Sequence, residues 1–177
     1  MRIAILGVDG SGKSSTIKIF DFLEYKSVYM GYNSAIRKYS FLPFLESIIS
    51  KSGLALFIYR VINDQFLIKE SINNVKVVYD RYPYDLLLYG NSQFFYRLKK
   101  YVINKYIYRP DLIFFLHGDP LSIHQRKNEL SEAQISTMQK KYKNILEDLN
   151  LNYIQIDTVD KTLKEVNDFV MEKLKCE

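Results

Sequence analysis

Along this chain, short apolar runs alternate with longer stretches whose apolar residues recur every three or four positions. The runs occupy 2–6, 27–31, 75–79, 111–116 and 152–156, and each is bounded by turn-forming or polar residues, as buried strands are. Between them, Ile17, Phe20 and Leu23 mark a helix over 13–26. Leu56, Tyr59, Ile62, Phe66 and Ile72 mark a second over 53–73. A third, over 91–108, carries Phe95, Leu98, Val102 and Tyr106 and is stopped by Pro110. Two more are expected at 131–149, opening on Ser131 as its cap, and at 160–175, opening on Asp160. Strands alternating with helices predict an α/β fold: a five-stranded parallel sheet with helices on both faces, every strand covered on both sides.

The 177 residues suffice for one domain, 1–177, with a sizeable core, and the 47% apolar and 25% charged content is that of an ordinary folded protein. Scarce glycine and proline argue against fibrous or low-complexity chains. The formal charge of +5 suits a polyanionic ligand without choosing among nucleotide, nucleic acid and acidic membrane. The single cysteine, Cys176, excludes an internal disulfide framework and any CxxC metal site, which fits a reducing compartment. No apolar run reaches the length of a membrane span, and the opening MRIAILGVDG is a strand cut off by glycine rather than a signal peptide, so the expectation is a cytoplasmic protein without a membrane partner.

Residues 7–14, GVDGSGKS, match G-x-x-x-x-G-K-[ST] at every fixed position, directly between the first strand and the first helix. Gly7, Gly10 and Gly12 let successive backbone N–H groups turn inward around an anion, with Ser11 and Ser15 completing the loop and the helix N-terminus reinforcing it. Lys13 brings a mobile cation to terminal phosphates, and the Ser14 hydroxyl is a hard ligand suited to Mg2+. The pattern is that of a P-loop NTPase fold, with a nucleoside triphosphate and Mg2+ as the expected ligand pair. Asp9 is out of place in an anion-binding loop unless it faces away from the donor, toward a group such as an acceptor hydroxyl, or merely caps the turn.

The third run ends in Asp80 and Arg81, side by side, and in a doubly wound sheet that end opens on the same crevice as the loop. Asp80 can hold the metal's waters there, together with Ser14, or activate a group, and Arg81 can clamp a phosphate in a bidentate fork, the plainer alternative being an ion pair that only ties the sheet together.

GVDGSGKSS with an acid at the third loop position, DRY after a buried strand, and RPDLIFFL before the fourth together resemble the thymidylate kinases and their relatives among nucleoside monophosphate kinases. The resemblance runs through nearly the whole chain: RKNE at 126–129 falls where that family has its arginine-bearing lid, here 125–133, and YIQIDTVDKTLKEV resembles its closing strand and helix. It implies that Lys13 and Ser14 bind ATP phosphates and magnesium, that Asp9 approaches the acceptor sugar hydroxyl, that Arg81 grips the acceptor phosphate, and that Asp157, Thr158 and Val159 lie near the adenine. With Gly10 where some members carry an arginine, Arg126 becomes the lid candidate, beside Lys127. Arg60, on the helix before DRY, and Arg37 are further acceptor candidates. The family also implies a homodimer.

After DRY the chain departs from the thymidylate kinases. It keeps Tyr89 but has Asp85, Leu88 and Gly90 where those enzymes usually carry a Ser, an Ala and a Gln. Here it looks closer to the thymidylate-kinase-like proteins of bacterial surface-polysaccharide gene neighbourhoods. Tyr82, Asp85 and Tyr89 are therefore the residues expected to shape the acceptor pocket, with Tyr84 a further ring for stacking. The favoured function is phosphoryl transfer from ATP to a small-molecule acceptor gripped by Arg81 and Arg126, dTMP first. The alternatives are a sugar or sugar-phosphate kinase and a non-catalytic nucleotide-binding protein. The basic helix at 97–109 reads as a solvated face rather than a nucleic-acid surface, and His117 and His124 as turn and surface residues rather than a metal pair.

Overall fold

In the computed structural model, which describes residues 1–31, 53–72, 76–90 and 92–175, β1 (Arg2–Leu6) lies at the centre of a five-stranded sheet. Its order is β2 (Lys26–Tyr29), β3 (Val77–Asp80), β1, β4 (Leu112–His117), β5 (Tyr153–Asp157), and every adjacent pair is parallel. The helices are α1 (Lys13–Phe22), α2 (Gly53–Ile72), α3 (Gln93–Tyr106), α4 (Pro120–Arg126), α5 (Glu132–Asp148) and α6 (Leu163–Lys175). Arg37 lies outside the described residues.

The period of two along the central strands sorts their side chains into two apolar layers. Ile3, Ile5, Leu112, Phe114 and Leu116 face α1 and α6, where they meet Ile17, Phe20, Val166 and Val170. Ala4, Leu6, Ile113 and Phe115 face the other way, toward α2, α3 and α5, and meet Phe57, Ile103, Tyr142 and Leu146. Each of the larger side chains contributes ~1.5–3 kcal/mol on burial, so a central strand buried on both faces is anchored far more firmly than any loop it carries. Ile5 is level with Asp80 on one side and Phe114 on the other, so the loops after β1, β3 and β4 leave the sheet at one edge. There the strand order also switches direction, the place where doubly wound sheets bind ligands.

The structure corrects several expectations. The outer strands are not covered on both faces: β2 is largely exposed and β5 only half-buried, because each has a single neighbour in the sheet. The last helix begins at Leu163, not at Asp160, since the Asp160 N–H is turned back to Asp157 Oδ1 (3.4 Å). Thr162 caps it instead: its hydroxyl accepts from the Glu165 N–H (3.3 Å) while the Glu165 carboxylate accepts from the Thr162 N–H (2.7 Å). Ser131 caps α5 as expected, in a reciprocal box with Gln134. Pro83–Leu87, unanticipated, forms a 3-10 helix that carries Asp85.

One contact fixes how the chain leaves β1. Gly7 has φ +149°, and a Cβ there would fall 2.5 Å from the carbonyl oxygen of Leu116 and 2.6 Å from Ser11 Oγ. Gly7→Ala is expected to destabilise the fold by ~1–3 kcal/mol, the usual cost of overpacking a rigid neighbour, read as a lower urea midpoint at unchanged m-value.

Candidate functional site

The loop 7–14 delivers α1 with its first turn open. Gly12, at φ 90° and ψ 10°, occupies the capping position without a side-chain hydrogen bond, and no acidic residue stands in the first turn, so the helix N-terminus remains available to an anion. Lys13 is buried, its Nζ donating to the Val8 carbonyl (2.7 Å) and to Asp9 Oδ1 (3.3 Å). Burial and the neighbouring Arg81 push its ammonium pKa down, against the pull of Asp9.

At the end of β3 the backbone turns sharply. Arg81 adopts φ +69°, a left-handed conformation rare outside glycine and asparagine, while its N–H donates to the Ile5 carbonyl (3.1 Å) and continues the sheet's bonding by one residue. The turn sends its guanidinium toward the loop, where Arg81 NH2 meets Asp9 Oδ1 at 2.5 Å, while NH1 lies 3.5 Å from Asp85 Oδ2. Burial works against the charge on Arg81, but Asp85 and Asp9 outweigh it and raise its pKa. Burial also pushes Asp9 up, yet Lys13 and Arg81 prevail and hold it below the ordinary carboxylate value.

Two cavities flank this contact. The first, about 680 Å³, is lined by the loop with Lys13, Ser14, Ser15, Arg126, Thr158 and Lys161. The second, about 480 Å³, is lined by Phe57, Arg60 and Asp64 of α2, by Tyr82 and Asp85, and by Tyr89. Asp9, Tyr29 and Arg81 belong to both and form the wall between them.

Most expected site residues are gathered here, with qualifications. Gly10, Gly12 and Asp80 line the first cavity, whereas Gly7 and Ser11 do not; the Ser11 side chain is fully buried. Asp157 is spent on the loop after β5, accepting from the Val159 N–H (2.9 Å), and Thr158 alone of that pair lines the cavity. Arg126 NH2 donates to the Thr158 carbonyl (2.9 Å) and lines the first cavity, not the second, so it does not join Arg81 there. The stretch 125–133 comprises the end of α4, a short turn and the start of α5. Tyr84 is core, not pocket: it is buried against the Tyr82 ring (centroids 5.1 Å apart), and Tyr82 in turn packs on Tyr79 and donates its hydroxyl to the Tyr108 carbonyl. Tyr89 is exposed at the rim of the second cavity.

A hard cation fits the first cavity. Asp80 Oδ1 is buried and finds no hydrogen-bond partner among the described residues, burial pushes the carboxyl's pKa up against Lys13 and Arg81, and the Ser14 hydroxyl is exposed in the same cavity. Among the described residues no cluster of three or more His, Cys, Asp or Glu could enclose an ion.

Sequence reasoning missed Tyr29, Lys161 and Asp64. Asp64 is 2% exposed, and burial, moderated by Arg60 and reinforced by Asp85, raises its pKa to about 7. Its spacing of four from Arg60 on an amphipathic helix was the available signal.

No family model matches the chain. A curated protein of Methanocaldococcus jannaschii, named a probable thymidylate kinase, is 30% identical over 186 residues, covering 99% of this chain and 96% of that protein. This chain belongs to the thymidylate kinase family. Its fold is that of the Candida albicans thymidylate kinase (TM-score 0.72, 20% identity, 99% of this chain and 91% of that one). It is similarly close to a deoxyadenosine kinase from M. mycoides with bound dATP (TM-score 0.71, 18% identity, 99% and 100%). The chain is thus a nucleotide kinase, and these relationships favour neither the sugar-phosphate alternative nor a non-catalytic one.

Asp64 makes the stability of this kinase pH-dependent. Its folded pKa of about 7 exceeds the unfolded value of 3.8, so its contribution is complete below pH 3.8 and lost as pH rises through about 7. The difference between the two states corresponds to ~4 kcal/mol. Asp64→Asn, which cannot titrate, is expected to gain up to ~4 kcal/mol on the parent chain between pH 4 and pH 8, measured by urea unfolding at each pH.

Proposed function

We propose that this kinase transfers the γ-phosphoryl of ATP, bound with Mg2+ in the first cavity, to a nucleoside monophosphate in the second, with dTMP the preferred acceptor. The observation that carries the reading is the shared wall: two cavities of nucleotide scale meet at Asp9, Tyr29 and Arg81, with the phosphate loop on one side. In this reading the backbone N–H groups of the loop and Lys13 hold the donor's terminal phosphates, and Arg126 and Lys161 neutralise their outer face. Mg2+, when bound through Ser14 and the waters on Asp80, offsets phosphate charge. Arg81, its NH1 side kept at Asp85, exchanges its NH2 contact with Asp9 for the acceptor phosphate, and Asp9 becomes free to accept from a sugar hydroxyl. Arg60, Phe57 and Tyr89 hold the base. The protein's contribution is orientation and charge neutralisation, since phosphoryl transfer asks little covalent chemistry of it.

The enzyme is proposed to act in the cytoplasm as a homodimer. Leu54, Ile58, Ile62 and Phe66, spaced four apart on α2, are exposed and form an apolar stripe suited to a second copy. Light scattering after gel filtration is expected to give twice the 20.9 kDa chain mass, and Ile62→Glu the mass of one chain.

A coupled ADP-release assay across monophosphates and phosphosugars is expected to show Mg2+-dependent turnover highest with dTMP and absent with phosphosugars. Lys13→Ala should lower kcat by about 100-fold or more, the scale of losing one preorganised donor, with the melting temperature nearly unchanged. Turnover on phosphosugars alone would overturn the acceptor assignment, and wild-type turnover by Lys13→Ala the donor site.

A further inference from the structure

Tyr142 belongs to the middle of α5, remote in sequence from every motif of the site. It is 1% exposed, its ring packed against Phe115 (centroids 5.6 Å apart) in the apolar layer beneath the sheet edge. A phenyl ring would fill that space equally well, so its hydroxyl needs a separate reason. That hydroxyl donates to Asp85 Oδ1 (3.0 Å), while the other oxygen of the same carboxylate, Oδ2, lies 3.5 Å from Arg81 NH1. Both oxygens of Asp85 are therefore engaged inside the protein, which leaves the carboxylate poorly placed to read an acceptor even though it lines the second cavity. The chain of contacts Tyr142–Asp85–Arg81–Asp9 runs unbroken from the helix layer to the phosphate loop.

We propose that Asp85 and Tyr142 are positioning residues: the hydroxyl fixes the carboxylate, and the carboxylate fixes the NH1 side of the Arg81 guanidinium so that its NH2 side stays at the wall between the two cavities. The inference rests on the reading that Arg81 grips the acceptor phosphate. The tyrosine sets the far end of this brace, and the 3-10 helix and the left-handed backbone at Arg81 set the two groups it joins. A guanidinium loose about its long side chain would reach the phosphate in many orientations, few of them productive, and misplacement of this kind costs rate rather than donor binding.

The test is a double-mutant cycle on the full chain, using whichever monophosphate the wild-type enzyme turns over fastest, with melting temperatures recorded in parallel. Tyr142→Phe keeps the volume and removes one hydrogen bond to a charged group. It is expected to lower kcat/KM for the acceptor about tenfold while KM for ATP is unchanged. Asp85→Asn still accepts from Tyr142 but cannot pair with Arg81, and is expected to show a similar loss. In an Arg81→Lys background, Tyr142→Phe should cost less than about twofold, because the group it positions is gone. Equal losses in both backgrounds, or a lowered melting temperature with acceptor kinetics intact, would leave Tyr142 a structural residue and overturn the brace. Wild-type kinetics in Arg81→Lys alone would instead remove the phosphate reading itself.

Discussion

One guanidinium answers to two carboxylates that come from unrelated parts of the chain. Arg81 lies between Asp9 of the phosphate loop and Asp85 of the 3-10 helix, and all three are partly or largely withdrawn from water. A buried charge without its partner is costly, so the loop after β1, the turn after β3 and the segment beyond it are each held where the other two need them. The sheet makes this possible: Ile5 and Asp80 are level, so the two loops emerge together and the charged groups need only side-chain length to meet.

The same arrangement holds two cations side by side at the phosphate loop. Lys13 and Arg81 stand close enough for Arg81 to depress the lysine's pKa, and Asp9 is the carboxylate that meets both. In the proposed reading, an arriving phosphate relieves that repulsion between the two cavities. Electrostatic preorganisation here means that two cations are held together before the ligand arrives, by an apolar frame stable enough to tolerate the strain.

What the sequence disclosed followed from spacing. The loop glycines, Lys13 and Ser14 are fixed by local backbone geometry, and Asp80–Arg81 by their position after a run of buried residues, so both were legible and both converge in space. The strands and most helices were legible for the same reason. Boundaries failed where polar residues compete for one role: Asp160 and Thr162 are both able caps, and the hydrogen bond of Asp160 to Asp157 decided between them. The wall of the second cavity was harder to see. Tyr84 looked like Tyr82 in sequence yet packs into the core, while Asp64 and Tyr142 lie inside helices as ordinary members of an amphipathic pattern. For Tyr142 only the tertiary packing shows which face of the helix it occupies, and for Asp64 the sole hint was its spacing from Arg60.

Helix α5 also touches the sheet at a second point. Gln139, one turn before Tyr142, donates from Nε2 to the Gly118 carbonyl (3.0 Å) and accepts at Oε1 from the Gly118 N–H (3.4 Å). A side-chain amide has the same donor and acceptor as a peptide unit, so Gln139 stands in for the neighbouring strand that β4 lacks beyond its last residue. A paired donor and acceptor adds a directional constraint that apolar packing by itself lacks. This one amide therefore indexes the helix layer to the sheet, like a tooth in a gear, and sets where along the strand ends everything else on α5 must fall.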